Sequence, residues 1–280
     1  MYKIVKKREL NPTVTLMEVD APFVARKAEP GQFIILRVDE EGERIPLTVA
    51  DFDREKGTVT IIFQIVGGTT ERLNHLNEGE HIQDFVGPLG EPSHTEGLKK
   101  VAVVGGGVGC AIAYPVAKKL HEQGAEVHSV VGFRNKDLVI LEEEFSAVSD
   151  VFKMMTDDGS YGEKGLVTDA LKALIEAGNS YDEVIAIGPV VMMKFVSLLT
   201  KQYGIKTVVS MNPIMIDGTG MCGCCRLTVA GKTRFACVDG PDFDGHEVDY
   251  DEILKRASTY KEFEAKEREK ACNLFKKEVR

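Results

Sequence analysis

The stretch VAVVGGGVG, residues 101–109, decides the fold. Val101-Ala102-Val103-Val104 is a short apolar run of the kind that forms a buried strand. Gly105, Gly106, Gly107 and Gly109 follow it, and a helical pattern over 110–123 comes next. Strand, glycine turn and helix in that order suit a bound pyrophosphate. Glycine lets the backbone approach the ligand closely, and the helix N-terminus favours negative charge. Pro115 would break a helix interior, but it is tolerated if the helix begins only shortly before it. Tight packing alone also selects glycine-rich turns, and that is the competing reading.

Working outward, strand candidates at 101–104, 127–131, 151–155, 183–187 and 206–210 alternate with helical patterns at about 110–123, 137–147, 166–177 and 190–203. The alternation predicts a parallel sheet covered on both faces, spanning 98–210. Residues 1–97 have a different texture. Short β-rich runs at 2–6, 13–19, 33–38, 58–66 and 81–86 are punctuated by Pro12, Pro22, Pro30-Gly31, Gly57, Gly79 and Pro88. They predict a small antiparallel barrel.

Two motifs stand in that barrel. Arg44-Ile45-Pro46-Leu47-Thr48 lies at the end of one strand, and Gly67-Gly68-Thr69-Thr70 leads into a short helix at 70–76. An arginine, backbone amides and threonine hydroxyls can hold a flavin pyrophosphate. Each motif alone also reads blandly, the first as a surface strand with a proline edge and the second as a helix cap.

Residues 211–245 form a cysteine-bearing loop, with a hairpin at 226–237 turning at Ala230-Gly231. Over 217–237 the chain reads DGTGMCGCCRLTVAGKTRFAC. Plant-type iron–sulfur ligation is spaced C-x4-C-x2-C…C. Cys222, Cys225 and Cys237 fill the last three slots, and Asp217 stands in the first. The motif reads as a [2Fe–2S] loop with one oxygen ligand. Gly218, Gly220 and Gly223 let the backbone bend round it. Three alternatives stay open. One is structural zinc on Cys222, Cys225, Cys237 and a fourth ligand such as His246. Another is a set of reduced core cysteines, although four of the chain's six cysteines fall within 222–237. The last keeps the cluster but takes Cys224 as fourth ligand, with Asp217 a loop cap. Residues 246–280 read as a strongly charged helix, either solvated or resting on a partner subunit.

The totals set bounds. A chain of 280 residues has room for more than one domain, and a net charge of −9 argues against nucleic acid or an anionic membrane as main partner. The opening MYKIVKKREL has no apolar signal region, and the longest apolar run is broken by glycines and Pro115. Cys110 and Cys272 do not extend a disulfide framework, so the expectation is a reducing cytoplasm. The six histidines show no metal-ligand spacing among themselves.

Barrel, GGGVG turn and cysteine loop together resemble the ferredoxin–NADP reductase superfamily, over nearly the whole chain. Within it they are similar to the families with a C-terminal [2Fe–2S] loop. These are the electron-transfer subunits of dihydroorotate dehydrogenase B and the small (alpha) subunits of NADH-dependent ferredoxin–NADP oxidoreductase, also described as sulfide dehydrogenase subunits. The first family typically has four cysteine ligands. The second resembles this chain in having Asp at the first slot, and its tail looks like DYDEILKRASTYKEFE.

The resemblance implies an FAD site in which Arg44, Pro46, Leu47 and Thr48 sit near phosphate and ring. Gln64, Ile65 and Val66 would line the ring or adenosine, and Gly68, Thr69 and Thr70 would take the pyrophosphate. It implies Gly105, Gly106, Gly107 and Gly109 at the dinucleotide phosphates, and Gly188-Pro189 with Met192 beside the nicotinamide. Gly132-Phe133-Arg134 and Asp157-Asp158-Gly159-Ser160 would face the ribose. Arg134 also reads as a solvated charge, and the acidic run as a plain turn. The acidic pair favours NAD(H), with NADP(H) as the competing dinucleotide. The implied function is electron transfer between NAD(H), FAD and a [2Fe–2S] cluster on Asp217, Cys222, Cys225 and Cys237. The implied partner is a larger flavin and iron–sulfur subunit that reaches ferredoxin and NADP(H) by electron bifurcation. No side chain is assigned as nucleophile or acid.

Overall fold

The computed structural model describes residues 1–259, 262–266 and 268–269. The N-terminal barrel elements are β1 (Tyr2–Asn11), β2 (Val14–Asp20), α1 (Pro22–Ala25), β3 (Phe33–Arg37), β4 (Arg44–Asp53), β5 (Thr58–Gln64), α2 (Gly68–His75), β6 (His81–Ile82) and β7 (Asp84–Leu89). The seven strands pair antiparallel in the order β6-β1-β2-β5-β4-β3-β7. The two ends of the sheet, β6 and β7, are separated in the chain by Gln83 alone, so the barrel is nearly closed. Ile4, Met17, Val19, Ile34, Leu36, Ile61, Phe63 and Phe85 fill it, all almost fully buried.

The parallel unit continues with β8 (Lys100–Gly106), α3 (Cys110–Glu122), β9 (Glu126–Phe133), α4 (Glu142–Ala147), β10 (Val151–Thr156), β11 (Glu163–Lys164), α5 (Val167–Glu176), β12 (Glu183–Ile187), α6 (Val190–Gln202) and β13 (Thr207–Ser210). The strand order is β11-β10-β9-β8-β12-β13, all parallel. Successive residues of β8 serve opposite cores, Ala102 and Val104 on one face and Val101 and Val103 on the other. That is why the strand reads as a continuous apolar run. The third part holds β14 (Arg226–Val229), β15 (Lys232–Phe235), β16 (Asp242–Asp244) and α7 (Tyr250–Ala257). β14 and β15 form the expected hairpin, with Ala230 and Gly231 at φ 50° and 70°.

Four local expectations change. Arg44-Ile45-Pro46-Leu47-Thr48 opens β4, a strand the sequence did not offer as a β-rich run. Helix α4 begins only at Glu142; residues 136–138 make a single tight turn, and Leu141 between them adopts φ 57°. Pro115 lies inside α3 rather than at its start. The C-terminal segment is not one solvated rod: in α7 Tyr250 and Ile253 are buried in the core shared with the sheet and the helix stops at Ala257, whereas 262–266 and 268–269 are helical and exposed. Tyr260, Cys272 and Phe275 lie outside the described residues.

β16 is the seam of the molecule. It pairs antiparallel with β13 through Ser210↔Asp242, Val209↔Phe243 and Val208↔Asp244. On its other side the chain leaving the barrel grips it: Glu91 N donates to Gly240 O at 2.7 Å, and Ser93 Oγ donates to Asp242 Oδ2 at 2.5 Å. The remaining oxygen, Asp242 Oδ1, is shut off from solvent with no protein partner. Burial therefore raises the Asp242 pKa, and hydrogen bonds from Ser93 and Ser210 only partly oppose it. A carboxyl whose folded pKa is raised favours folding while it is protonated. Its contribution is full below the unfolded value near 3.8 and is lost as pH rises through the folded value. Asp242→Asn should remove that dependence, so its melting temperature should fall less than that of the parent chain between pH 4 and 8. Parallel melting curves across that range would overturn the assignment.

Candidate functional site

The glycine turn stands where the strand order reverses. From β8 the chain winds to β9 and β10 on one side, then returns to β12 and β13 on the other. Ligands of open α/β sheets bind at the carboxyl ends of the strands at such a point. Here those ends are in register, Gly105 opposite Ile187 and Gly106 opposite Gly132. Gly109 packs directly on the next turn. A Cβ on it would lie 2.6 Å from both Gly188 Cα and Ile187 O. A Cβ on Gly106 would overlap Met192 Sδ and press on Pro189 Cδ. The fold thus brings Gly105, Gly106, Gly109, Gly188, Pro189 and Met192 together. Gly107, at φ 55°, faces open space at the rim.

The acidic run sits beside this crevice. Asp157 N donates to Phe133 O at 3.0 Å and Asp158 N to Arg134 O at 3.3 Å, which joins the two segments the sequence singled out. Arg134, Asp157 and Asp158 are all exposed. The Ser160 side chain and backbone hold the Asp158 carboxyl below the usual carboxylate range.

In the barrel, Thr69 Oγ1 donates to Glu43 Oε2 at 3.0 Å, so the start of α2 lies against the start of β4. Glu43 is the residue that precedes Arg44 in the chain. Pro46, Leu47 and Thr48 pair with Ile35, Ile34 and Phe33 across β3. Gln64 ends β5 opposite Val14, and Ile65 N donates to Thr13 O at 2.8 Å. Val66 stands 60% exposed at the same end of the barrel. Thr70 is buried and its hydroxyl is committed. It accepts from Val66 N and Gly67 N and donates to Gly67 O, each at 3.0 Å. It shapes the loop, while the first-turn N–H groups of α2 lie outside the helix's own bonding.

The cysteine loop presents its donors as two pairs. Asp217 Oδ2 accepts from Cys222 N at 3.0 Å and Met221 N at 3.1 Å, and Oδ1 accepts from Thr219 N at 3.1 Å. Cys222 Sγ lies 3.4 Å from Asp217 Oδ1. These donors, the Thr219 N–H first, hold the Asp217 pKa down at about 2. In the other pair, Cys225 and Cys237 are 1% and 3% exposed, with their sulfurs 3.2 Å apart. Burial, then the neighbouring Cys225, pushes the Cys237 thiol up to about 12. Cys222 is lowered, chiefly by the Cys224 N–H, and Cys224 is raised by its hydrogen bond to Cys222. Gly220 makes the wrap possible: at φ 83° its missing Cβ would lie 2.7 Å from Val238. Among the described residues no three His, Cys, Asp or Glu side chains converge on one metal-ion position. Two irons that each take two terminal ligands ask for pairs instead, and the four donors fit that demand. His246, offered as a fourth zinc ligand, has its Nε2 3.1 Å from Thr200 Oγ1.

Sequence reasoning missed the residues that hold this loop in place. Arg256 Nη2 donates to Cys224 O at 2.9 Å, and Glu252 Oε2 accepts from Thr228 N at 3.0 Å. Both come from α7. The signal was present only as charge on a helix too sparse in apolar residues to be read as packed.

Residues 212–249 match the family described as the iron–sulfur cluster binding domain of dihydroorotate dehydrogenase B. An uncharacterized protein from the adh 3' region of Clostridium beijerinckii is 56% identical, over 95% of this chain and 93% of its own. The Thermotoga maritima homolog of the dihydroorotate dehydrogenase B (NAD(+)) electron transfer subunit is 49% identical, over 94% of this chain and 93% of its own. A solved structure of an NADH-dependent reduced ferredoxin–NADP oxidoreductase superposes with a TM-score of 0.91 at 46% identity, covering 98% of both chains. With glycine crevice, flavin-type barrel and paired donors all in place, the chain belongs to the iron–sulfur electron-transfer subunits of the ferredoxin–NADP reductase superfamily, the group shared by these two relatives.

Proposed function

We propose that this chain passes electrons between NAD(H), FAD and a [2Fe–2S] cluster to a larger flavin and iron–sulfur subunit, as in electron-bifurcating NADH-dependent ferredoxin–NADP oxidoreductase. The observation that carries the reading is the pairing of Asp217 with Cys222 and of Cys225 with Cys237. Bound flavin supplies the conversion between a two-electron hydride and one-electron cluster chemistry. The chain's own residues do the rest. Arg44, Pro46, Leu47 and Thr48, Gln64 to Val66, and the Gly68-Thr69 amides would seat the flavin. Gly105 to Gly109, Gly188, Pro189 and Met192 would floor the dinucleotide crevice. Asp157 and Asp158 beside it disfavour a 2′-phosphate, so NADH is the better fit. Asp217 already stands as an anion, whereas Cys237 must release a proton on ligation.

A partner subunit follows from the relatives, which are themselves electron-transfer subunits. Ferredoxin and NADP(H) would be reached through it. The loop carries Met221 at 88% exposure, with Val238, Ile216 and Ile214 also open, a surface suited to a protein partner. The divisions 1–97, 98–210, 211–245 and 246–280 serve as the functional units, with 246–280 as the partner-facing one. The net charge of −9 speaks against nucleic acid or membrane partners, and the cysteine pattern suits a cytoplasmic protein. No helix among the described residues is long and apolar enough to cross a membrane.

The second reading, an electron-transfer subunit of dihydroorotate dehydrogenase B, is favoured by the match over 212–249. Co-purification separates the two: a TIM-barrel dehydrogenase supports it, and a larger iron–sulfur flavoprotein supports the first. The direct test is an anaerobic visible spectrum with EPR after dithionite, alongside flavin, iron and sulfide counts. The expected result is flavin, two irons and an S = 1/2 signal of a two-iron cluster. Asp217→Cys should keep the cluster and shift its midpoint potential, because thiolate replaces carboxylate. Zinc without flavin or sulfide would sink the reading, and an unmoved potential in the variant would remove Asp217 from the ligand set.

A further inference from the structure

Helix α7 is tied down on two sides. Toward the cysteine loop, Arg256 Nη2 donates to Cys224 O, Glu252 Oε2 accepts from Thr228 N, and Asp249 N donates to Thr228 O at 2.9 Å. Toward α6, the helix that leaves the Gly188-Pro189 turn, Asp251 Oδ1 lies 2.6 Å from Lys194 Nζ, and Tyr250 Oη lies 2.8 Å from Ser197 Oγ. Tyr250 and Ile253 are buried between these contacts. The helix is therefore anchored on both sides, with the Arg256 guanidinium on Cys224 O at its last turn.

The atom Arg256 holds matters. The Cys224 carbonyl belongs to the peptide that joins Cys224 to Cys225. In a trans peptide the C=O and the following N–H point in opposite directions. Fixing Cys224 O toward α7 therefore fixes the Cys225 N–H on the side away from it. It also sets the direction from which the Cys225 side chain leaves the backbone. Arg256 is half-buried, so its charge is less screened than that of Arg226, an exposed residue whose Nη1 reaches Gly223 O at 3.1 Å.

We propose that Arg256 is a positioning residue of the cluster site. It fixes the Cys224–Cys225 peptide and places a permanent positive charge on the carbonyl that precedes Cys225, which makes the site easier to reduce. This inference rests on the cluster reading above. Net charge and hydrogen bonding around the sulfurs are among the levers that set an iron–sulfur potential. Arginine keeps its charge at all working pH values, so the effect does not titrate.

The test uses the full chain as purified, with Arg256→Gln, Arg256→Lys and the control Arg226→Gln. Midpoint potentials are read by dye-mediated titration, and amide hydrogen exchange over 222–226 is read on both loaded and iron-free protein. Arg256→Gln should lower the potential and speed exchange about tenfold, the loss of one charge-assisted hydrogen bond. Arg256→Lys should recover most of the potential while exchange stays fast, which separates charge from fork geometry. Arg226→Gln should move the potential less. An unchanged potential in loaded Arg256→Gln overturns the proposal, as does an equal shift in Arg226→Gln. If Arg256→Gln does not load, iron-free exchange decides: faster exchange than in the parent supports the positioning role, and equal exchange overturns it. Parent protein without iron would fail the cluster reading itself, while the iron-free comparison would still judge Arg256.

Discussion

Gly109→Ala should lose dinucleotide binding by about 100-fold or more, while flavin and iron contents stay at parental levels. A single added methyl is enough because of what surrounds it. The new Cβ would lie 2.6 Å from Gly188 Cα and from Ile187 O, both backbone atoms of the turn that follows β12. A flexible side chain could swing away from such a contact, but two packed backbones must separate. That separation widens the crevice where the phosphates would approach the turn. Overpacking of this kind typically costs about 1–3 kcal/mol of stability, and a 100-fold loss of affinity corresponds to about 2.7 kcal/mol. Gly107→Ala is the comparison, since nothing lies within reach of a Cβ there. Its φ of 55° makes a side chain costly, but it does not push Gly188. Titration of the flavin absorbance with NADH would check both. NADH binding to Gly109→Ala within a few-fold of the parent would refute the placement of the dinucleotide.

Cys237→Ala should abolish cluster loading, with iron and labile sulfide near zero and flavin unchanged. Cys237 sits 3.2 Å from Cys225 and is 3% exposed, so its removal leaves one donor of that pair without a near neighbour to replace it. Cys224 cannot step in cheaply. Its side chain bonds to Cys222 and its carbonyl is held by Arg256. The direct packing loss is small, about 1 kcal/mol for a lost buried thiol-sized group. The larger effect is linkage: a group bound only by the folded chain stabilises it. The variant should therefore melt with iron-free parent protein and well below the loaded parent. Two irons per chain in Cys237→Ala, with an unaltered EPR signal, would refute the ligand assignment.

Much of the parallel sheet could be read from local pattern because its strands are buried on both faces. The apolar run at 183–187 coincides with β12, and 101–104 lies within β8. Pattern failed where burial and polarity are mixed. β4 carries Pro46, Asp51 and Asp53 in a mostly half-buried strand, so it did not stand out. Residues 138–141 are apolar and mimic a helix, yet Ile140 and Leu141 are buried from an irregular backbone. The loop's candidate donors stand out by their spacing. Their grouping does not, because it depends on a hairpin that folds Cys237 back onto Cys225. Contacts across long separations, such as Ser93 with Asp242 and Arg256 with Cys224, leave no local trace at all.

The pairing of β16 with β13 has a consequence beyond holding the barrel to the sheet. The chain departs from β13 at Ser210 and returns at Asp242, and those two residues are partners in the ladder. Met211 N donates to Pro241 O at 2.9 Å, closing the neck. Everything between is an excursion with its two feet side by side, a cassette that could be shortened or exchanged without re-threading the sheet. Yet the returning foot also covers the backbone groups of β13, the last parallel strand on that side. An exposed edge strand is a template for aggregation. Deleting the redox cassette together with its return strand would therefore take away an electron carrier and, in the same cut, the guard that keeps one copy of the sheet from adding to another.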